Sequence, residues 1–596
     1  MKRLIRFWKE YADRYRGWYL LGVVCLIATT LLTVAIPTFV QYAIDALDAG
    51  AGFDGALKWA IIILVAGVGI IIVRTLSRTL FFNPGRTVEF RVKSDLFDHL
   101  LRLPRPFFDR VRPGDIISRG TNDANAMRAL IGFATLQLFN TVFTLVFTLG
   151  RMLMMDVVLT LVCAIPLGLS AIILRHAIVR MFTLHGQNLA QVSTLSNRIL
   201  ESYGGVAVLQ AYNALGAAHQ RFDRENDTLL DIGERLVTIQ QWLMPIMPGI
   251  GKLCVVVILY LGGLRVIDGA LTIGELSAFI AYINILVAGL FSFGFLLGAT
   301  QRGYVALGRI YELLDAPVDR PEVIAEMPPV PSTGHGIAVR DLSYTHHGQE
   351  RPALDHVSFD VHPGETLGIF GLTGSGKSTL LGLLSRIYDP PPGAVKLDGV
   401  DVRDVAVQAY WQRVAVVGQE AFLFSRTIAE NIALAEPPEA IDRERMRHAI
   451  EDAALAVDVH DFPDGLDTVI GERGVTLSGG QRQRTALARA FYRDFEVLLL
   501  DDVMSAVDHA TEKKLIDALY RRSARKTTLV VSHRISVLTR ADRILVLDDG
   551  HLVDQGTHTE LLENEGPYAR AWALQQAAER AEALDRRDAE EAAAHG

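Results

Sequence analysis

Long apolar runs occupy the first half of this 596-residue chain, whereas the second half alternates short apolar segments with polar ones. A helix needs about 20 apolar residues to cross a bilayer, and six of the runs reach that length. They lie near residues 17–43, 56–82, 129–152, 156–177, 241–267 and 273–298. The pattern predicts an all-α membrane domain with six transmembrane helices over residues 1–316.

The second half has the strand–helix alternation that is typical of a soluble α/β domain with a mainly parallel sheet. This domain is predicted over residues 337–570. The proline-rich residues 317–336 separate it from the membrane domain and are interpreted as a linker. Residues 571–596 are rich in Ala, Glu and Arg, and we expect them to form a solvated helix or a frayed tail.

Charges in the loops predict the orientation of the membrane domain. Residues 86–128 and 175–235 are long, polar and rich in Arg, whereas residues 45–55 are acidic and carry no Lys or Arg. Because Lys and Arg concentrate on the cytoplasmic side, both termini and the α/β domain are expected in the cytoplasm. The chain is therefore predicted to be a multi-pass protein of the cell (inner) membrane.

Residues 86–128 and 175–235 are interpreted as cytoplasmic extensions of the spans. Two short segments within them, residues 106–109 and 209–213, are predicted to be transverse helices. Each contains aromatic side chains next to polar ones. Two interpretations stay open: these aromatics dock another domain, or the segments are ordinary turns packed on their own bundle.

Polar residues inside the predicted spans are candidate pore or substrate contacts, because such groups usually face a bundle interior or a cavity. Hydrogen bonding between helices is the alternative for each. These residues are Gln41, Gln137, Asn140, Lys252 and Asn284.

Composition argues against two other classes of protein. The net charge of −8 gives no indication of a nucleic-acid partner. All three cysteines, Cys25, Cys163 and Cys254, lie in apolar runs, so neither disulfides nor metal ligation by thiolates is expected.

A glycine-rich loop in the second half has the spacing of a P-loop. It follows the apolar strand over residues 366–370 and precedes a helical run from Thr379, so its backbone N–H groups would surround phosphates at a helix N-terminus. Lys377 would neutralise the β- and γ-phosphates of ATP, and Ser378 would ligate Mg²⁺. The predicted nucleotide contacts are Gly371, Leu372, Thr373, Gly374, Ser375, Gly376, Lys377, Ser378 and Thr379.

Three further strands end in polar side chains that suit the same site. The strand over residues 497–500 ends in Asp501 and Asp502, and Asp501 is expected to hold Mg²⁺ directly or through water. Gln419 follows the strand over residues 414–417 and is a candidate contact to Mg²⁺ and the attacking water. His533 follows the strand over residues 527–531 and is a candidate γ-phosphate contact, with a structural role as the alternative.

A second glycine turn, Leu477 followed by Ser478, Gly479, Gly480 and Gln481, precedes a helical run from Arg482. It is another potential phosphate cradle. One chain does not need two cradles for one nucleotide. We therefore predict that this turn contacts the nucleotide of a facing subunit.

Taken in order along the chain, these motifs resemble those of the ATP-binding cassette (ABC) transporters, specifically the exporter-type half-transporters. The resemblance implies a dimer in which two ATP molecules lie between the P-loop of one chain and the signature turn, residues 477–481, of the other. It also implies a nucleotide contact from Asp508, at the end of the D-loop over residues 505–508. An aromatic that stacks on adenine is expected at His346 or Tyr344, which would project from one strand face, with His346 slightly favoured.

One residue departs from the family pattern. The catalytic base position, which is usually Glu, is occupied by Asp502. The shorter side chain would hold its carboxylate about an ångström from the place where Glu orients water, and such a misplacement can cost about 10²-fold in rate. We therefore expect a site that binds ATP and hydrolyses it slowly, in a heterodimer with a second, unlike half-transporter. A slow homodimer is the alternative.

The resemblance implies an ATP-hydrolysing exporter of amphipathic or hydrophobic compounds such as drugs, lipids or peptides, working in contact with membrane lipid. A nucleotide-gated channel or regulatory subunit and an importer of the same architecture remain alternatives. The six spans argue against a soluble ATPase.

Overall fold

The computed structural model describes residues 2–50, 52–111, 113–318, 336–471, 477–504, 509–523, 526–577 and 580. Most of the predicted linker, the D-loop and most of the tail lie outside these residues, so the predictions about them remain predictions. The chain divides into two compact units. The membrane half comprises Met1–Leu101 and Arg112–Ala316, and the ATPase half comprises Arg102–Val111 and Pro317–Gly596.

Helices α1–α12 account for most of residues 2–314, with short 3₁₀ or π turns between some of them. Their bounds are Lys2–Phe7, Arg16–Asp48, Gly52–Arg102, Arg105–Arg110, Pro113–Ser118, Ala124–Ala129, Thr135–Met155, Val157–Gly204, Val206–Ala211, Leu215–Val257, Gly263–Ile267 and Ile273–Leu314.

Six helical stretches within the described residues are long and apolar enough to cross a membrane, as predicted. At 1.5 Å per residue, the 48 residues of α8 extend about 70 Å, more than twice the apolar thickness of a bilayer. The predicted cytoplasmic extensions are therefore continuous with the spans. Short helices also occur at both segments predicted to be transverse helices: α4 contains residues 106–109, and α9 contains residues 209–211 but ends before residues 212–213.

A side-chain cap at the start of α8 marks the boundary between the third and the fourth span. α7 ends at Met155, and the Asp156 side chain accepts a hydrogen bond from the Leu159 N–H at 2.8 Å at the start of α8. Asp156 also pairs with Arg265 at 3.0 Å. The third and fourth spans therefore meet at a turn at residues 155–156, and this turn is held by a buried carboxylate.

Strands β1–β10 belong to the ATPase half. Their bounds are Ile337–Tyr344, Leu354–Val361, Thr366–Gly371, Val395–Leu397, Val400–Asp401, Val414–Val417, Val497–Asp501, Thr527–Val531, Arg543–Asp548 and His551–Gly556.

Helices α13–α21 accompany these strands. Their bounds are Lys377–Leu384, Val407–Arg413, Ile428–Ile432, Arg443–Asp452, Ala456–Asp461, Gly479–Tyr492, His509–Ser523, Ile535–Leu538 and His558–Glu563.

The strands form two sheets. A six-stranded sheet has the order β10-β9-β3-β8-β7-β6, parallel except for β10, which confirms the predicted parallel sheet. A second, antiparallel sheet has the order β2-β1-β4-β5. In the larger sheet β3, β8, β7 and β6 are neighbours, so their carboxyl ends lie along one edge. That edge is where parallel sheets bind ligands.

Candidate nucleotide-binding site

The P-loop is the turn between β3 and α13. Gly374 and Gly376 have φ values of 87° and 94°, and a Cβ on Gly376 would lie 2.4 Å from the Ala353 carbonyl oxygen. The positive φ favours glycine at both positions, and the close approach of the Ala353 carbonyl also requires it at Gly376. The helix begins at Lys377, earlier than the predicted start at Thr379, because Gly376 turns the chain directly into it. The first N–H groups of α13 thus border the loop, as in a phosphate-binding cradle.

Lys377 is held by the loop that precedes it. Its Nζ donates hydrogen bonds to the carbonyl oxygens of Gly371 and Leu372 at 2.8 and 2.7 Å, and to Ser375 Oγ at 3.3 Å. Burial lowers the pKa of Lys377, and the negative charges of Asp501 and Asp502 oppose that shift. The ammonium group therefore lies between the loop and two carboxylates, where a phosphate would meet it.

Asp501 and Ser378 meet beside this lysine. Burial raises the pKa of the Asp501 carboxyl and the charge of Asp502 adds to the rise, whereas a hydrogen bond from Ser378 and the charge of Lys377 oppose it. A divalent cation would compensate the burial of this carboxylate. The hydroxyl and carboxylate oxygens are ligands that Mg²⁺ prefers, so the predicted pair fits the ion.

Asp502 forms a pair with His533 that the sequence analysis did not predict. Asp502 is only 7% exposed, and its Oδ2 lies 2.9 Å from His533 Nδ1. Ser532 donates to the other carboxylate oxygen at 3.4 Å, and the Asp502 N–H donates to the Val531 carbonyl at 2.9 Å. Its φ of 48° lies in the left-handed region, which Asp adopts more readily than most residues. The ends of β7 and β8 are thereby joined.

A cavity of about 250 Å³ brings the predicted residues together at this edge of the sheet. Gln419 reaches it from the end of β6, and Gln483 donates to the Gln419 carbonyl at 3.4 Å. Ala353 is a lining residue that the sequence analysis missed. The lining consists of Ala353, Thr373, Gly374, Gly376, Lys377, Ser378, Thr379, Gln419, Asp501, Asp502 and His533.

The two candidate adenine contacts lie next to each other, although not in the predicted way. β1 ends at Tyr344, so the expectation that His346 shares a strand face with it is wrong; His346 belongs to the turn that follows. Their rings still meet edge to face, with centroids 5.1 Å apart. His346 Nε2 lies 3.0 Å from Thr379 Oγ1, which brings His346 to the P-loop helix.

Tyr388 is a third aromatic in this cluster, and the sequence analysis missed it. Its ring lies 5.3 Å from His346 and 5.9 Å from Tyr344, measured between centroids. Its hydroxyl donates to Asp109 on α4 at 3.3 Å. The sequence feature that could have indicated Tyr388 is its position, just beyond the P-loop helix and shortly before three consecutive prolines.

The signature turn is built as a helix cap. α18 begins at Gly479 rather than at the predicted Arg482, because Ser478 caps it. Ser478 Oγ accepts from the Gln481 N–H at 3.2 Å, and Gln481 Oε1 accepts from the Ser478 N–H at 2.9 Å. Gln481 Nε2 also donates to Asp458 at 3.0 Å. The polar ends of Gln481 therefore serve the cap, and the N–H groups of Gly479 and Gly480 lie at the start of the helix.

The structure does not bring this turn to the P-loop of its own chain. None of the residues that line the P-loop cavity, within the described part of the chain, belongs to Ser478–Gln481. Asp508 lies outside the described residues, so its nucleotide contact remains a prediction.

The membrane half contains a separate cavity of about 360 Å³ between α8, α10 and α12. Its walls are mostly apolar, and its polar members are His185, Gln240 and Arg302. The full lining is Leu174, Ile178, Met181, Phe182, His185, Gln240, Leu243, Met244, Gly298 and Arg302.

The five polar residues predicted as pore or substrate contacts do not line that cavity. Asn284 donates to the Ile280 carbonyl of its own helix at 3.0 Å, and Gln137 donates to Thr141 at 3.3 Å. These two side chains are thus used within their own helices.

Comparison with known proteins agrees with this geometry. Residues 19–290 match the family model described as the ABC transporter transmembrane region, and residues 354–505 match the one described as ABC transporter. The chain belongs to the ABC transporter family.

Similar proteins span nearly the whole chain. It is 32% identical over 582 residues to the probable multidrug resistance ABC transporter ATP-binding/permease protein YheI of Bacillus subtilis (strain 168), covering 97% of both chains. It is 31% identical over 563 residues to the ATP-dependent lipid A-core flippase of Burkholderia orbicola (strain AU 1054), covering 93% of this chain and 94% of the relative. A solved bacterial Atm1-family ABC exporter with ATP bound is 25% identical, with a TM-score of 0.80 over 94% of this chain and 98% of that chain.

Fold and family together confirm the main predictions from the sequence. The chain is a multi-pass membrane protein of the exporter type. Its C-terminal half binds nucleotide, and its hydrolysis of ATP is coupled to transport.

Proposed function

We propose that this chain is one subunit of an exporter for amphipathic or hydrophobic compounds, and that its own ATP site hydrolyses slowly. The observation that carries the slow site is Asp502. Its short carboxylate is buried at the end of β7 and engaged by His533 at 2.9 Å. A carboxylate held there stands back from the water that a longer Glu side chain would orient.

At this site different residues bind the phosphates, the adenine and the Mg²⁺ ion. Lys377 and the N–H groups at the start of α13 hold the phosphates, and His346 stacks on adenine. Ser378, Asp501 and Gln419 hold Mg²⁺, which neutralises charge that develops on the phosphates. His533 contacts the γ-phosphate from the end of β8.

Ser478, Gly479 and Gly480 act on the nucleotide of a partner chain. Their separation from the P-loop cavity of their own chain supports this role. With an intact signature turn and a slow P-loop site, the chain suits a heterodimer in which the unlike partner supplies the faster catalytic base. ABC exporters work as dimers, so the partner is a second half-transporter.

The substrate is amphipathic or hydrophobic. The cavity between α8, α10 and α12 supports this class, because its apolar wall is interrupted by the polar or basic side chains of His185, Gln240 and Arg302. The names of the relatives cited above, a multidrug resistance protein and a lipid flippase, point in the same direction. We place the ATPase half in the cytoplasm and the spans in the cell (inner) membrane, on the distribution of Arg in the loops.

Transport in inside-out vesicles tests the proposal. The probes are a fluorescent hydrophobic dye and a headgroup-labelled lipid, with a Lys377→Ala variant of the same complex as the control. We expect ATP-dependent accumulation of at least one probe against its gradient, which the Lys377→Ala complex reduces. Movement only down the gradient would indicate a channel, and ATP-dependent loss from the vesicles would indicate an importer; either contradicts an exporter.

A further inference from the structure

The side chain of Gln575 bridges the loop that carries His533. Gln575 Nε2 donates to the His533 carbonyl oxygen at 2.7 Å, and Gln575 Oε1 accepts from the Ile535 N–H at 3.0 Å. One amide therefore satisfies a backbone acceptor and a backbone donor that flank Arg534. Such a two-point contact fixes orientation as well as position.

Gln575 lies on a helix over residues 567–577. The aromatic side chains of Tyr568 and Trp572 anchor this helix to the rest of the domain. Tyr568 is fully buried, and its ring packs edge to face on Phe370 of β3 with centroids 5.2 Å apart. Its hydroxyl lies 2.8 Å from His558 Nδ1, and His558 packs against Trp572 at 5.1 Å. The same helix thus contacts the strand that leads into the P-loop and the loop that carries His533.

Other contacts hold the loop on its two sides, and within the described part of the chain the hydrogen bond seen at the His533 carbonyl comes from Gln575. Ser532 N–H donates to the Ile369 carbonyl at 3.2 Å, and Arg534 pairs with Glu512 at 2.6 Å. The His533 side chain is 56% exposed, so packing around its ring contributes little to its position. The backbone that presents the ring is held within the loop by the Arg534 N–H, which donates to Ser532 Oγ at 3.0 Å, and from outside the loop by Gln575.

We propose that Gln575 is a positioning residue for His533, through which the C-terminal helix sets the distance between His533 and Asp502. The inference rests on the proposed role of His533 at the γ-phosphate. Loss of the amide lets the backbone at residues 533–535 rotate, and His533 then moves relative to Asp502. A change in the C-terminal helix would reach the ATP site by the same contact.

Hydrogen exchange followed by mass spectrometry tests the contact itself, without reference to activity. In the intact complex, Gln575→Ala should speed exchange at the Ile535 amide, which loses its acceptor. The neighbouring Gln576→Ala is the matched control, because no hydrogen bond of its side chain is seen among the described residues. Equal protection of Ile535 in the wild type and in Gln575→Ala would overturn the contact.

Single-turnover ATP hydrolysis tests the positioning role, in complexes whose partner base has been removed so that this chain's own site is measured. We expect Gln575→Ala to lower the rate constant for hydrolysis at this site roughly tenfold and to leave the ATP concentration for half-maximal rate within about twofold. A displacement by part of an ångström should cost less than the 10²-fold expected for a full one. His533→Ala combined with Gln575→Ala should be no slower than His533→Ala alone. Gln575→Glu keeps the acceptor for Ile535 but places a carboxylate oxygen against the His533 carbonyl, so it should not restore the rate lost in Gln575→Ala.

The outcomes separate the two proposals. If His533→Ala leaves turnover unchanged, the role of His533 is wrong, while the exchange data still decide the contact. If His533→Ala slows turnover and Gln575→Ala does not, the positioning role is wrong. Additive losses in the double variant would also overturn it, because the two residues would then act separately.

Discussion

Two glycine turns that open helices, the P-loop and the signature turn, have very different surroundings. The P-loop borders a cavity with a lysine, a serine hydroxyl, two carboxylates and a histidine. The signature turn has its own helix cap, and its Gln481 side chain is used by that cap and by Asp458. The first turn is thus surrounded by the groups that catalysis needs. The second offers N–H groups, the Ser478 hydroxyl and the Arg482 guanidinium, which donates to the Leu477 carbonyl at 2.9 Å.

The difference explains why one chain carries both turns. The described residues that line the P-loop cavity, with its lysine, carboxylates and histidine, include none of the signature turn, so a phosphate at that turn would lack those groups. This turn becomes useful when a facing chain supplies those groups.

Lys377→Ala should lower ATP affinity at this chain's site by about 10²-fold. A hydrogen bond between charged groups contributes roughly 1.5–3 kcal/mol, and Lys377 is the ammonium group held at this cradle. Photolabelling of this chain with an azido-ATP measures the change. The exposed lysine of α19, changed as Lys513→Ala, is the control, and unchanged labelling of Lys377→Ala would refute the P-loop assignment.

Asp502→Glu should raise turnover at this site by about 30-fold. The longer Glu side chain brings the carboxylate most of the missing ångström closer to the attacking water. A side chain bulkier than Asp is, however, less well suited to the φ of 48° at this position. Single-turnover hydrolysis in a complex whose partner base has been removed isolates this site. If the rate does not rise, something other than the length of Asp502 makes the site slow.

A companion measurement concerns the division of labour. Asp502→Ala should cost the assembled transporter less ATPase activity than removal of the partner's catalytic Glu. Equal losses in the two complexes would contradict unequal sites.

Ser478→Ala should slow hydrolysis at the facing site about tenfold while ATP affinity at this chain's own P-loop stays the same. The variant also removes a helix cap, which costs about 1 kcal/mol. Thr272→Ala is the matched control, because Thr272 and Glu275 form an equivalent cap on α12 in the membrane half. A similar loss of turnover in both variants would assign the effect to folding rather than to the nucleotide.

His346→Ala should weaken ATP binding about fivefold, since stacking of a base on an aromatic side chain contributes roughly 1–3 kcal/mol. Tyr344→Ala is the comparison, as its ring meets His346 edge to face at 5.1 Å. Nucleotide titration measures both variants. A larger loss in Tyr344→Ala would move the adenine contact to Tyr344.

Local patterns were sufficient to predict the spans, the parallel strands and the polar residues at their ends. The length of an apolar run determines whether it can span the membrane. The carboxyl ends of parallel strands lie along one edge of the sheet, which places Asp501, Gln419 and His533 at that edge. Helix starts were predicted a few residues late at Lys377 and Gly479. There the helix begins within the glycine turn, and glycine is a poor helix signal in sequence.

Contacts between distant segments were not predictable in this way. Tyr388 meets His346, and Gln575 meets the backbone of His533, only because the sheet and the C-terminal helix bring them together. The pairing of Asp502 with His533 likewise depends on β7 and β8 being neighbours, although 30 residues separate the two in sequence. Periodicity within one segment carries no information about such pairs.

The most direct test of the unequal sites is the native mass of the complex, purified through a tag on this chain from its own membranes. The account predicts this 65.6 kDa chain together with a different chain of similar size. A mass of twice 65.6 kDa would contradict it, because both sites would then carry Asp502 and no unlike partner would supply a faster base.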